Sequence, residues 1–169
     1  MESPFEIIEK EIGPVIEIEE SVPIWKMPAT FGRDFGLISD YIESQGSSIR
    51  EMPYARYLDI DWEAESKMGF FSQLLRVFSK KWHFQVGMPT ASKLSGEGDL
   101  ISRTFERRRY VKSLHLGPYK DVGKSYDAMI LWLKEQGEVA EGESIEIYLN
   151  SPQDVEQSEL ETELLIPIK

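Results

Sequence analysis

The sequence has no cysteine, only two histidines and a shortage of positive charge. Without cysteine there is no disulfide framework, thiolate nucleophile or zinc knuckle, which fits a reducing compartment and makes the cytoplasm the expected location. His83 and His115 stand far apart without HxxH-type spacing, so no metal site is expected, both rings read as structural, and no Ser-His-Asp triad suggests itself. Nineteen basic residues against 30 acidic ones leave a formal charge of −11 over 169 residues. Such a field repels phosphate backbones and favours cations, so nucleic acid is not an expected partner. The opening MESPFEIIEK has no basic region followed by an apolar run, and the longest apolar run is Ala128 to Leu133. Neither a secretory signal nor a membrane-spanning helix is expected.

What the chain does contain is an internal repeat. At an offset of 91 residues, Tyr-Ile-Glu-Ser-Gln-Gly (41–46) lines up with Trp-Leu-Lys-Glu-Gln-Gly (132–137), and Phe31, Phe35 and Ile38 fall on Val122, Tyr126 and Met129. Val122, Tyr126, Met129, Ile130 and Leu133 have the spacing of one buried helical face, and Gly137 predicts a glycine C-cap. Ala-Arg-Tyr-Leu-Asp (55–59) meets Glu-Ile-Tyr-Leu-Asn (146–150), which makes Tyr57 and Tyr148 equivalent. Both copies close on a strand ending in an apolar residue and proline, at Met88-Pro89 and Ile166-Pro167. With a strand predicted ahead of each helix, over Val15–Met27 and Thr104–Leu116, each copy reads strand-helix-strand-strand.

The expected fold is therefore α+β: one domain over 1–169, with repeats at about 12–91 and 103–169, largely antiparallel sheets, and helices on one face. Ser92–Asp99, polar and glycine-rich, reads as the linker. The first copy carries an insertion before its last strand, where Phe70, Phe71, Leu74, Leu75 and Phe78 predict an amphipathic helix over 64–81. Its apolar face suits a lid over a cavity or a homodimer contact better than a membrane anchor.

The strand Glu-Ser-Ile-Glu-Ile-Tyr-Leu-Asn (143–150) sets Glu146 between two isoleucines. Strand alternation puts Ile145, Ile147 and Leu149 on one face and Ser144, Glu146, Tyr148 and Asn150 on the other. If the isoleucines pack under the helix, Glu146 and Tyr148 look away from it, towards solvent or an enclosed space, with Tyr57 facing the same way. The first-copy equivalent of Glu146 is Ala55, so the repeat supplies one carboxylate and not two. An exposed strand glutamate is the plainer reading of the residue by itself.

The runs VKSLHLGPYKDV (111–122), WLKEQG (132–137), EIYLNSP (146–152) and TELLIPI (162–168) together resemble the GyrI-like small-molecule-binding family, whose domain forms the effector-binding part of multidrug-sensing transcription activators. The resemblance covers nearly the whole chain and is strongest from Tyr110 onward. It implies two strand-helix-strand-strand units around a ligand cavity, with the glutamate of the Glu-x-Tyr strand at its centre engaging cationic, aromatic ligands. Here that glutamate is Glu146, with Tyr148 beside it. Since the module begins almost at residue 1, no DNA-reading domain fits ahead of it, and the chain reads as a stand-alone member.

On that resemblance the ligand-binding candidates are Glu146, Tyr148, Tyr57, Trp25, Trp62 and Tyr119, although aromatic side chains at strand spacing are also plain core. The leading expectation is a non-enzymatic protein that binds or sequesters a hydrophobic, cationic small molecule without a cofactor. One alternative is a hydrolase of strained, cyclopropane-bearing compounds, as some stand-alone relatives are, with Glu146 and Tyr57 or Tyr148 as base and acid. A gyrase-inhibitor-like protein-binding module is the third reading. Gly117–Ser125 imitates a phosphate-binding loop, but it has one residue too many between its glycines and a proline without an N–H, so it reads as the turn entering a helix.

Overall fold

In the computed structural model, which describes residues 4–67 and 70–169 and the side chains of all of these except 66 and 70–74, the two predicted main helices form where their apolar spacing places them. They are α1 (Met27–Ser44) and the later α4 (Val122–Gln136). Each is entered through a short 3-10 turn, Ile24–Lys26 or Tyr119–Asp121, preceded by an extended proline, Pro23 or Pro118. Proline's fixed φ and missing N–H suit that entry position. Val122, Met129, Ile130 and Leu133 form the buried face of α4, and Gly137 caps it with φ 71°, its N–H donating back to the Leu133 and Lys134 carbonyls.

Eight strands, β1 (Phe5–Lys10), β2 (Gly13–Pro23), β3 (Tyr54–Tyr57), β4 (Lys81–Pro89), β5 (Ile101–Phe105), β6 (Arg108–Leu116), β7 (Ser144–Tyr148) and β8 (Glu161–Pro167), make one antiparallel sheet in the order β1-β6-β8-β7-β3-β4-β2-β5. The α+β fold with two repeats stands, and its sheets are continuous. The strand predicted over Val15–Met27 stops at Pro23, and the one predicted over Thr104–Leu116 is the end of β5 followed by β6. Ser92–Asp99 lies in the irregular connection between the halves.

The pairing shows a fuller repeat than the sequence match. Ile16 pairs with Met88 on one side and Ser102 on the other, as Val111 pairs with Ile166 and Ile7. Each half thus begins with an additional strand, β1 or β5, and lends it to the other half's outer strand. At the centre Ala55, the repeat equivalent of Glu146, is also its direct partner across β3 and β7. The pseudo-twofold axis passes between these two residues.

Both faces of the sheet are covered. Ile16, Ile18, Ala55, Phe84, Val86 and Met88 lie under α1, and Val111, Leu164 and Ile166 under α4. The other face curls around Ile12, Val15, Tyr54, Phe105, Tyr110, Ile145, Ile147 and Leu165. Ile145 and Ile147 therefore pack inside the curl, and the expectation that they sit under the helix is reversed. Glu17, fully buried there, accepts hydrogen bonds from the Tyr54 hydroxyl and Arg103 Nε, both at 2.8 Å, and pairs with Arg56 at 3.4 Å. These partners compensate its lost hydration.

The insertion forms two helices, α2 (Trp62–Lys67) and α3 (Phe70–Ser79), rather than one over 64–81. Of its predicted apolar face, the side chains of Phe70, Phe71 and Leu74 lie outside the described residues, while Leu75 and Phe78 are exposed. Among the described residues no helix is long and apolar enough to cross a membrane.

Candidate functional site

Strand alternation does put Ser144, Glu146 and Tyr148 on one face of β7, but it is the face towards the helices. The Tyr126 hydroxyl, on α4, donates to Glu146 Oε1 at 3.1 Å, and the Tyr148 hydroxyl donates to Oε2 at 3.0 Å. Glu146 thus looks into the helix layer and not away from it. The correction follows from the curl, which gives the isoleucines an apolar interior of their own.

Rings from both halves surround this carboxylate. From α1, Phe31 and Phe35 lie 6.0 and 6.4 Å from the Tyr148 ring, and Tyr119, in the turn before α4, lies 5.6 Å from it. Trp62, at the start of the insertion, packs 5.5 Å from Tyr126 and donates its indole N–H to the Glu141 carbonyl at 2.7 Å. Tyr57 packs against Phe84 at 6.0 Å and Trp82 at 6.4 Å. Glu146 and Tyr148 are only 8% and 9% exposed, whereas Phe31, Phe35, Tyr57, Trp62 and Tyr126 are half-buried and Tyr119 is 40% exposed. The carboxylate is thus buried, with partly exposed aromatic rings around it.

Five of the six sequence candidates, Glu146, Tyr148, Tyr57, Tyr119 and Trp62, come together here. Trp25 does not join them: it sits in the 3-10 turn before α1, 63% exposed, with no aromatic contact among the described residues. Tyr126, Phe31 and Phe35 were read only as parts of helical faces. Tyr126 carried a usable signal, because a phenol on an otherwise aliphatic buried face needs a partner for its hydroxyl.

Burial raises the Glu146 carboxyl to about 7, against the opposing pull of the Tyr148 and Tyr126 hydrogen bonds, which favour the ionised form. Burial first, and then the neighbouring negative charge, raises the Tyr57 and Tyr126 phenols well above their ordinary value, and Tyr148 is raised likewise. All three remain protonated donors at neutral pH. Among the described residues no basic side chain lies within ion-pairing distance of Glu146. Replacing Tyr126 by phenylalanine should therefore raise the Glu146 pKa further, which carboxyl-carbon NMR titration of variant and parent would register. A fall, or no change, would mean that Tyr126 does not stabilise the charge.

The loop resembling a phosphate site is used structurally. Gly117 takes φ 111°, and the buried His115 ring bridges the Ser125 hydroxyl at 2.8 Å and the Pro118 carbonyl at 3.1 Å. Since a carbonyl only accepts, Nε2 carries a proton and donates it to Pro118. Lys124 pairs with Asp121 at 2.8 Å. Together these contacts fix the entry of α4, which carries Tyr126.

The two-repeat α+β domain thus carries, in its helix layer, one buried carboxylate surrounded by aromatic rings. The chain belongs to the family of GyrI-like small molecule binding domains, whose model matches residues 35–169. Among curated proteins nothing matches it. Among solved structures, the EcmrR C-terminal domain is similar with a TM-score of 0.71 and 17% identity, covering 98% of each chain. EcmrR in its DNA complex gives 0.72 and 18% over 98% of this chain and 57% of that one, so the chain spans little more than half of that protein. A hydrolase encoded by lin2189 from Listeria innocua gives 0.64 and 10%, covering 97% of this chain and 92% of that one. SAV2435 bound to tetraphenylphosphonium gives 0.58 and 12%, covering 97% and 94%. At these identities the likeness is one of fold.

Proposed function

We propose that the chain binds or sequesters a hydrophobic, cationic aromatic molecule among the rings that α1, α4 and the strands gather around Glu146, with Glu146 selecting for positive charge. The observation that carries this reading is a buried carboxylate whose hydrogen bonds come from two neutral phenols and which has no cationic partner among the described residues. An uncompensated buried charge costs several kcal/mol, and a bound cation offsets that cost while its aryl groups cover the half-buried rings. A fold neighbour, SAV2435, holds such a cation. The test is titration of the chain with tetraphenylphosphonium and with tetraphenylborate, its anion of like shape, by calorimetry at pH 8. Binding of the cation with at least tenfold preference is expected. Equal affinity for both ions, or none for the cation, would overturn the reading.

A second reading has one observation in its favour. A glutamate at about 7 beside protonated phenols is also an acid–base pair suited to hydrolysis, and the lin2189 neighbour is called a hydrolase. The two readings part on turnover: a binder returns its ligand unchanged, and a hydrolase does not.

A further inference from the structure

A second carboxylate is buried in the helix layer, away from β7. Asp34 faces inward from α1, is 0% exposed, and offers Oδ1 to Arg33 at 2.7 Å, while its Oδ2 has no hydrogen-bond partner among the described residues. On the strand below, Glu20 stands on the same face of β2 as Ile16 and Ile18, its side chain 19% exposed and its Oε1 also held by Arg33. One guanidinium therefore bridges two carboxyl groups from different elements, and it neutralises only one charge. Arg33 itself is more than half exposed, so it closes the pair from outside.

Among the described residues no other charged group acts on Glu20. Across the β2–β4 pairing the neighbour of Glu20 is Phe84, while Glu19, His83 and Arg103 belong to the opposite face. The charged groups acting on Glu20 are thus Asp34 and Arg33. Asp34 Oδ2 is thus a buried carboxylate oxygen without a donor, close to a second carboxyl.

We propose that Glu20 and Asp34 share one proton, forming a carboxyl–carboxylate hydrogen bond that ties α1 to β2 and makes this pair a second proton-binding site, separate from Glu146. The Glu20 carboxyl donates to Asp34 Oδ2, which satisfies the orphaned oxygen and leaves one net negative charge for Arg33. As pH rises the proton departs to solvent, and two carboxylates then repel beneath the helix that carries Phe31 and Phe35. Burial, followed by the Asp34 charge, raises the Glu20 carboxyl in the same sense. A group whose folded pKa is raised stabilises the fold at pH values below its unfolded pKa, and that contribution is lost as pH rises through the folded pKa.

The test holds whether or not the chain binds a cation. Thermal unfolding is followed from pH 4 to 9 in the full chain carrying Glu146→Gln, which removes the other raised carboxyl, with and without Glu20→Gln. The midpoint of the single variant is expected to fall with rising pH through the Glu20 titration, and the double variant to lose that fall, because an amide N–H donates to Asp34 at every pH. The same decline in both would overturn the proposal. Should the double variant not fold, carboxyl-carbon NMR of the wild-type chain decides: Glu20 Cδ should titrate above the ordinary glutamate value of about 4.3. A Glu20 transition at or below that value would refute a shared proton.

Discussion

Replacing Glu146 by glutamine should weaken tetraphenylphosphonium binding by roughly 10–100-fold and leave tetraphenylborate affinity unchanged or improved. A hydrogen-bonded or paired charge contributes about 1.5–3 kcal/mol, and 1.4 kcal/mol is tenfold in affinity. The substitution conserves shape, and the amide keeps a carbonyl oxygen for one of the Tyr126 and Tyr148 hydroxyls, so the change isolates charge from packing. Calorimetry on the parent and the variant with both ions gives the ratio directly. If both ions weaken alike, Glu146 supports the surrounding rings and does not read charge.

The second large effect is in pH. With Glu146 at about 7, the empty site is mostly protonated at pH 5 and mostly ionised at pH 9. A cation needs the ionised form, so below pH 7 it must displace a proton, and its apparent affinity should fall about tenfold per pH unit. Between pH 8 and pH 5 a loss of about 100-fold is expected, with about one proton released per cation bound at pH 5, measurable by calorimetry in buffers of different ionisation enthalpy. The ligand-free fold responds in the opposite sense. Because the folded pKa exceeds the unfolded one, Glu146 protonation stabilises at low pH, and roughly 3 kcal/mol is lost as pH rises from 4.5 through about 7. A flat cation affinity from pH 5 to 8 would mean that Glu146 binds protons equally in the free and the bound chain, so that its charge does not select the cation.

How much of this was legible in the sequence depends on which interactions are local. Helical spacing placed α1 and α4, and Gly137 marked the end of α4, since a left-handed cap is a property of a few consecutive residues. Alternation correctly grouped Glu146 with Tyr148, and the repeat correctly added Tyr57. The same alternation could not say which face the helices cover, because both faces of this curled sheet are apolar: Ile145 and Ile147 fit the inside of the curl as well as they would fit a helix. β1 and β5 escaped the repeat because each is a short edge strand whose partner lies in the other half of the chain. Tyr126 looked like core because its ring is core, and only its hydroxyl belongs to the site. Trp25 was an aromatic residue in a turn, and nothing in a sequence distinguishes a wall from an exposed ring.

The direct pairing of Ala55 with Glu146 bears on how such a site can arise at all. Two identical half-length chains assembled about a true twofold would place the same residue at both positions, giving either no carboxylate or two as immediate cross-strand neighbours. Two would stand roughly 5 Å apart, where like charges repel and one must take up a proton. Two halves joined in one chain are free to differ on the axis itself, as Ala55 and Glu146 do. The fused chain thus presents a single carboxylate at its centre without a shared proton, where a symmetric pair would hold two carboxyl groups or none.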